Sequence, residues 1–425
     1  MEIAQLHQLF LEHPTVCTDT RKIEKDCIFF ALKGENFNGN SYAAEALKKG
    51  AALAVIDEPE YATSDRCLLV ENTLETLQKL ATFHRKHSQA KVIALTGSNG
   101  KTTTKELINA VLSKKYRTIA TKGNLNNHIG VPLTLLSIQH DTELAVVEMG
   151  ANHLKEIDFL CRLAQPDFGY VTNFGKAHLE GFGSKEGIIR GKSELYDYLT
   201  AHDKSVFINA DDGVQIEKLK SYIKKYGFSS KNHEYYPITL VDADPFVKLK
   251  AEETVIASQL IGSYNFTNCA AAVLIGKYFN VALSDIKSAI ENYVPSNNRS
   301  QIIEKNGHRI ILDAYNANPT SMKAALDNFD QMKGTNKTAF LGDMFELGPT
   351  ADEEHQKIAD LVSSLGLKQV FLIGENFKGT DTSIEKFKTF DLLREHLKEN
   401  PLKEDSLVLV KGSRGMALER ILDLL

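Results

Sequence analysis

The segment Thr96-Gly97-Ser98-Asn99-Gly100-Lys101-Thr102-Thr103-Thr104 follows directly on the apolar run Val92-Ile93-Ala94-Leu95. It leads into the periodic Leu107, Ile108, Val111 and Leu112. A β-branched run that breaks at two glycines and resumes with helical period reads as strand, phosphate loop and helix. Backbone N–H groups of such a loop point at an anion, and the helix N-terminus adds positive dipole. The dipole alone contributes roughly 0.3–1 kcal/mol at an exposed end. Micromolar nucleotide affinity needs about 8 kcal/mol, so a lysine, a hydroxyl for Mg²⁺ and a base pocket must contribute the rest. Lys101 is placed to reach the β- and γ-phosphates, and Thr102 to ligate the metal. The loop is shorter than a Walker A loop, whose first glycine would fall at Leu95.

A chain of 425 residues is too long for one compact core. The expected class is α/β, in three domains. Residues 1–88 read as a small α/β unit, with strands near 27–32 and 52–56, helices near 42–49 and 73–87, and a polar connector at 85–89. Residues 89–295 read as a central domain with a doubly wound sheet around the phosphate loop. Strands are expected at 117–120, 144–148 and 168–172, and helices at 156–163 and 186–199. From about 203 to 262 the pattern becomes shorter and richer in strands, before helices at 266–279 and 284–293. Pro295-Ser296-Asn297-Asn298 reads as a linker. Residues 296–425 then form a Rossmann-like third domain without a glycine-rich dinucleotide loop. Its strands are expected near 309–313, 338–341, 370–373 and 407–410, its helices at 322–332 and 353–365, with a helix at the C-terminus.

Composition excludes several classes. The five cysteines, Cys17, Cys27, Cys67, Cys161 and Cys269, are scattered and form no Cys-x-x-Cys pair. Neither a disulfide framework nor a zinc site is expected, and a reducing cytoplasm fits. A net charge of −5 gives no electrostatic reason to expect nucleic acid. No apolar run approaches the ~20 residues of a membrane span, and the start Met1-Glu2-Ile3-Ala4-Gln5 leads to no expectation of a signal peptide.

A phosphate loop binds a nucleotide without saying what is done with it. Ala145-Val146-Val147-Glu148 ends an apolar strand in a lone carboxylate. Ligands of doubly wound sheets sit at such carboxyl ends, so Glu148 is placed to hold Mg²⁺ through oxygen. His178, just past the expected strand 168–172, can serve as metal ligand or base. Lys192 lies in a helix soon afterwards, and on spacing alone reads as solvated. Asn265 and Asn268 stand at a helix start, where an amide either caps or reads the edge of adenine.

Taken together, Thr96–Thr103, Glu148-Met149-Gly150, His178-Leu179-Glu180, Asn265 with Asn268, Arg299 and Asp313 resemble the ATP-dependent Mur ligase family. Asp313-Ala314-Tyr315-Asn316-Ala317-Asn318-Pro319, Gly342-Asp343-Met344-Phe345-Glu346-Leu347-Gly348 and Lys411-Gly412-Ser413-Arg414 narrow the resemblance to its branch that adds D-alanyl-D-alanine. It runs from about Thr18 to the C-terminal helix. The resemblance implies a UDP-substrate domain, an ATPase domain and a C-terminal ligase domain. It implies Gly97, Ser98, Asn99, Gly100, Lys101, Thr102 and Thr103 around the phosphates, Asn268 on adenine, Arg299 on the γ-phosphate and Asp313 on the ribose or hinge side. Thr102 and Glu148 would bind one Mg²⁺, and His178 with a carbamylated Lys192 a second, because CO₂ turns an amine that repels Mg²⁺ into an oxygen ligand. Asn124, Asn126 and Asn127 resemble the loop facing the muramoyl substrate, and Asp19, Thr20 and Arg21 the uridine region. There Thr20 replaces the usual serine, and Asn38-Gly39-Asn40 an Asp-Gly-His type turn. Asn316, Asn318, Asp343, Lys411 and Arg414 fall in the region of ATP or D-alanyl-D-alanine contacts.

The reaction so implied is amide ligation through an acyl phosphate. UDP-N-acetylmuramoyl-tripeptide and D-alanyl-D-alanine are the expected small-molecule substrates, ATP and Mg²⁺ the cofactors, and a cytoplasmic monomer the expected form. A ligase with a diamino acid or glutamate as acceptor, and a nucleotide-switched binding protein without ligase chemistry, are the alternatives.

Overall fold

The computed structural model describes residues 2–296, 298–403 and 405–425; Asn297, within the expected linker, lies outside the described residues. Three larger sheets follow one another along the chain, as an α/β reading requires, with a two-stranded ribbon of Lys33–Gly34 and Phe37–Asn38 beside the first. The first is a four-stranded parallel sheet of Val16–Cys17, Ile28–Phe30, Leu53–Ile56 and Cys67–Leu69. Its long helix, Thr73–His87, starts where Asn72 accepts from the Glu75 N–H at 2.9 Å, an ordinary N-cap. A helix at Ile3–Glu12, which the sequence reading lacks, packs on it through Leu6 and Phe10.

Arg85 corrects the expected polar connector. It is buried, with Nη2 2.8 Å from Asp167 Oδ2 and Nε donating to the Ala164 carbonyl at 2.9 Å. Both acceptors belong to the central unit, so this end of the helix, which runs to His87 as expected, is a fastening between units.

The central sheet has nine strands. Six of them, from Thr118–Ala120 through Leu144–Glu148, Lys91–Thr96, Phe168–Val171, Ser205–Asn209 and Lys225–Ser229, run parallel and pair parallel with Tyr236–Asp242. Phe246–Ala251 and Thr254–Ile261 extend that edge antiparallel, which accounts for the strand-rich stretch. Register sets Leu95 beside Glu148 and Thr96 beside Val171. The residues that end both flanking strands therefore emerge next to the phosphate loop.

Two helices hold the loop from behind. Lys101–Leu112 buries Leu107, Ile108, Val111 and Leu112. It packs against Phe266–Tyr278, whose stretch Asn268–Gly276 is buried throughout. Each such aliphatic side chain contributes roughly 1.5–3 kcal/mol, so packing rather than helix propensity carries the threonine-rich first turn. Gly130–Leu136, directly after the loop of Asn124, Asn126 and Asn127, is also helical. Its Pro132 lies in the first turn, where a missing N–H breaks no helical bond.

The third sheet has the order Gln301–Lys305, His308–Asp313, Leu407–Lys411, Thr338–Gly342, Gln369–Ile373 and Glu385–Phe387, antiparallel only in its first pair. The helix Pro319–Gln331 begins before the expected 322, because Asn318 and Ser321 form a capping box with Pro319 behind it. The expected C-terminal helix is instead two 3-10 segments, Arg414–Met416 and Leu418–Leu424. Leu418 and Ile421 are buried three residues apart, and a period of three keeps them on one face.

Candidate active site

The phosphate loop is held by its neighbours as well as by its own lysine. Gly97 takes φ 142°, and a Cβ there would lie 2.0 Å from Thr172 Oγ1. Gly100 takes φ 78° and faces the Asn268 amide at 2.5 Å in the same sense, so both glycines are required sterically. Thr172 Oγ1 donates to the Asn99 carbonyl at 2.6 Å. Asn173 brackets the same residue, accepting from the Asn99 N–H at 3.2 Å and donating to its carbonyl at 3.0 Å. Lys101 Nζ donates to the Gly97 carbonyl at 2.8 Å. Burial lowers the Lys101 ammonium pKa, with Arg299 adding to the effect and Glu148 and Glu346 opposing it. These four charges share one field.

Glu148 ends its strand almost completely buried. Its Oε1 accepts from Asn126 Nδ2 at 2.7 Å, while Oε2 is buried without a hydrogen-bond partner. A buried carboxylate oxygen left over in this way fits a hard cation. Lys105 stands behind it, with Nζ 3.9 Å from Oε2. It donates to the Thr121 carbonyl at 2.7 Å and the Gly123 carbonyl at 3.3 Å. Lys192, expected from spacing to be solvated, is wholly buried. Its Nζ donates to the Ala151 carbonyl at 2.9 Å and lies 5.1 Å from the Phe182 ring centroid. Burial, and then the like charge of Lys101, push its pKa well below the usual lysine range. His178 stands in left-handed backbone at φ 53°, and its Nδ1 lies 2.5 Å from Glu346 Oε2 of the third unit. That imidazole holds the Glu346 carboxyl below its ordinary value.

On the other side of the loop, Asn268 accepts from Thr104 Oγ1 at 3.0 Å and donates to Asn265 Oδ1 at 2.7 Å. Asp313 Oδ1 accepts from the Ser300 N–H at 3.0 Å, and Oδ2 pairs with Lys411 Nζ at 2.5 Å. Asn318 uses its amide twice: Oδ1 caps its own helix at Ser321 N, and Nδ2 donates to Asn99 Oδ1 at 2.7 Å.

These groups surround one cavity of about 980 Å³ with walls from all three units. It brings together Ser98 to Thr103, Asn124, Asn126, Asn127, Glu148, His178, Asn268, Arg299, Asp313, Asn316, Asn318 and Lys411. Glu346 lies on the wall as well, and so does Ala151, the carbonyl partner of Lys192. Several expected residues are not on this wall. Asp19 is engaged by Arg21, accepting from its backbone N–H at 3.0 Å and its Nη2 at 2.8 Å, with Thr20 in the same 3-10 turn. Asp343 is buried and accepts from the N–H groups of Asn376 and Phe377, both at 2.9 Å, so it closes a turn of the third unit. The Arg414 guanidinium carbon lies 5.5 Å from the Tyr315 ring centroid. Sequence reasoning missed Asn173, Lys105 and Tyr315. A lysine one helical turn after Lys101 on the buried face of a helix was the one available signal.

Family models match along the chain in three pieces. These are the Mur ligase family catalytic domain at residues 14–85, the Mur ligase middle domain at 95–276, and the Mur ligase glutamate ligase domain at 298–414. The UDP-N-acetylmuramoyl-tripeptide–D-alanyl-D-alanine ligase of Bacillus subtilis (strain 168) is 37% identical over 421 residues, 96% of this chain and 92% of that protein. A crystal structure of MurF from Acinetobacter baumannii superposes with TM-score 0.84 at 32% identity, over 96% of this chain and 93% of that one. The MurF ligase of Thermotoga maritima, in complex with ADP, superposes with TM-score 0.83 at 26% identity, over 97% of each. The chain belongs to the Mur ligase family.

Proposed function

We propose that this Mur ligase is an ATP-dependent amide ligase that joins D-alanyl-D-alanine to UDP-N-acetylmuramoyl-tripeptide, yielding the pentapeptide precursor of peptidoglycan. The observation that carries the reading is the shared cavity. Phosphate loop, buried carboxylate and third-unit amides face one space, in a chain that matches such ligases over nearly its whole length.

The tripeptide carboxylate attacks the γ-phosphate, forming an acyl phosphate and releasing ADP. The dipeptide amine then attacks the acyl carbon, and the tetrahedral intermediate expels phosphate. In such transfers the protein mainly positions reactants and neutralises charge. Lys101 and Arg299 supply cationic donors to the phosphates. Residues 1–88 would hold the uridine nucleotide, 89–295 the ATP and 296–425 the acceptor. Closure of these parts would exclude water from the acyl phosphate.

Mg²⁺ would supply charge neutralisation, held by Thr102 and Glu148, with His178 and Lys192 at a second ion. The buried Glu148 Oε2 supports the first site. A ligating imidazole normally gives its other nitrogen to a carboxylate, which the His178–Glu346 pair matches. Burial disfavours the charged form of the Lys192 amine, and an uncharged amine is the nucleophile that CO₂ requires, which supports a carbamate on Lys192. We place the enzyme in the cytoplasm, since both substrates are small and polar, and as a monomer, since one chain lines the whole cavity; among the described residues no helix is long and apolar enough to cross a membrane.

The test is phosphate release from ATP with the UDP-tripeptide and D-alanyl-D-alanine added singly and together. Release that needs both, with a UDP-pentapeptide product by mass, is the expected result. Release indifferent to the dipeptide would reassign the acceptor.

A further inference from the structure

Arg299 lies in the crossover between the central and third sheets, outside any helix or strand. Asn298 and Ser300 on either side both hold left-handed backbone, φ 57° and 49°. Residues other than glycine keep that conformation where their surroundings impose it. Here the surroundings are specific. The Asn298 carbonyl accepts from the Tyr315 N–H at 3.2 Å, and the Ser300 N–H donates to Asp313 Oδ1 at 3.0 Å. Ser300 Oγ and the Tyr264 hydroxyl lie 3.0 Å apart. Both neighbours are thus pinned, and the side chain between them is directed onto the Tyr315 ring. The Arg299 guanidinium carbon lies 3.5 Å from that ring's centroid, which is face-to-face stacking distance.

We propose that Tyr315 is a positioning residue that sets the Arg299 guanidinium for the terminal phosphate of ATP. Stacking occupies the face of a guanidinium and leaves its in-plane N–H donors for an oxyanion. Tyr315 follows the strand His308–Asp313 of the third sheet, whereas the phosphate loop belongs to the central one. Arg299 is therefore in place only when the third domain is seated, and grip on the γ-phosphate becomes a consequence of closure. This inference rests on the proposed contact between Arg299 and the γ-phosphate.

The experiment measures binding of a non-hydrolysable ATP analogue and of ADP, each with Mg²⁺, to the full chain carrying Tyr315→Leu, Tyr315→Phe, Arg299→Ala, or Tyr315→Leu with Arg299→Ala. Tyr315→Leu should weaken the analogue by about 3- to 30-fold. Its ADP affinity should stay within about twofold, and so should the analogue affinity of Tyr315→Phe, which keeps the aromatic face. The double variant should bind the analogue no more weakly than Arg299→Ala alone. An unchanged analogue affinity in Tyr315→Leu, or a loss that adds in full to that of Arg299→Ala, would overturn the inference. Tyr315→Leu losing ADP in the same proportion would also overturn it, by making the ring a general structural support. Arg299→Ala binding the analogue like the unsubstituted chain would remove the γ-phosphate contact itself, and the inference with it.

Discussion

Asn318 Nδ2 donates to Asn99 Oδ1 at 2.7 Å, joining the cap of a third-unit helix to the phosphate loop. The same side chain caps Pro319–Gln331 through Oδ1, so its rotamer is fixed before it reaches the loop. Asn318→Asp keeps a good cap but turns the donor into a carboxylate facing Asn99 Oδ1 and the phosphates. A lost hydrogen bond of about 0.5–1.5 kcal/mol plus repulsion should weaken ATP by about tenfold or more, with little change in thermal stability. Nucleotide titration beside a melting curve checks both parts. Unchanged ATP affinity would mean that the link does not bear on the nucleotide.

Lys192→Ala should remove most ligase activity, by about 100-fold or more if a metal site is lost, and a short-chain carboxylate should restore part of it. Lys192→Arg should fail as well, because a guanidinium cannot be carbamylated. With ¹³C-labelled bicarbonate, the unsubstituted chain should show a carbamate resonance that both variants lack. Full activity in either variant would end the carbamate assignment.

Lys105 is buried beside Glu148 and satisfies the Thr121 and Gly123 carbonyls. Lys105→Met keeps the stem and removes the donor, leaving two backbone carbonyls short of a partner. Each unsatisfied group costs roughly 1–3 kcal/mol, so urea unfolding should move to lower concentration by that order. The loop carrying Asn126 should loosen with it, and the Mg²⁺ concentration that half-saturates ATP turnover should rise. Unchanged unfolding would exclude this bracing role.

A histidine pair predicts a pH effect on stability. His84 Nε2 lies 2.9 Å from the Ile138 carbonyl, which can only accept, so His84 Nδ1 accepts from His7 Nε2 at 3.1 Å. Burial first, then His84 and His87, lower the His7 pKa to about 4, and burial lowers that of His84 as well. The folded chain thus keeps His7 neutral between about pH 6.5 and 4, while the unfolded chain takes up the proton near 6.5. The unfolded state binds more protons in that window, so stability is present above it and falls as pH drops through it. Melting temperature against pH should therefore decline less steeply in His7→Phe than in the unsubstituted chain. Parallel curves would exclude His7 as the cause.

Glu148 and Lys192 mark the two limits of legibility. Glu148 was readable in its place because four apolar strand residues ending in a carboxylate announce a carboxyl-end position, while its burial came only from the fold. Lys192 carries no such local signal, since the helix around it is mixed in character. Only packing against Ala151 and Phe182 makes its amine a buried one.

Local sequence alone determined the strand, loop and helix of the phosphate site, the α/β alternation and the three-part order, because hydrophobic period and glycine placement act over a few residues. Tertiary structure decided which polar groups meet. Asn318 reaches Asn99 across more than two hundred residues, Glu346 reaches His178, and Arg85 reaches Asp167 instead of water. Such pairings depend on how separate sheets are seated against one another, and no repeat or spacing along the chain records that geometry.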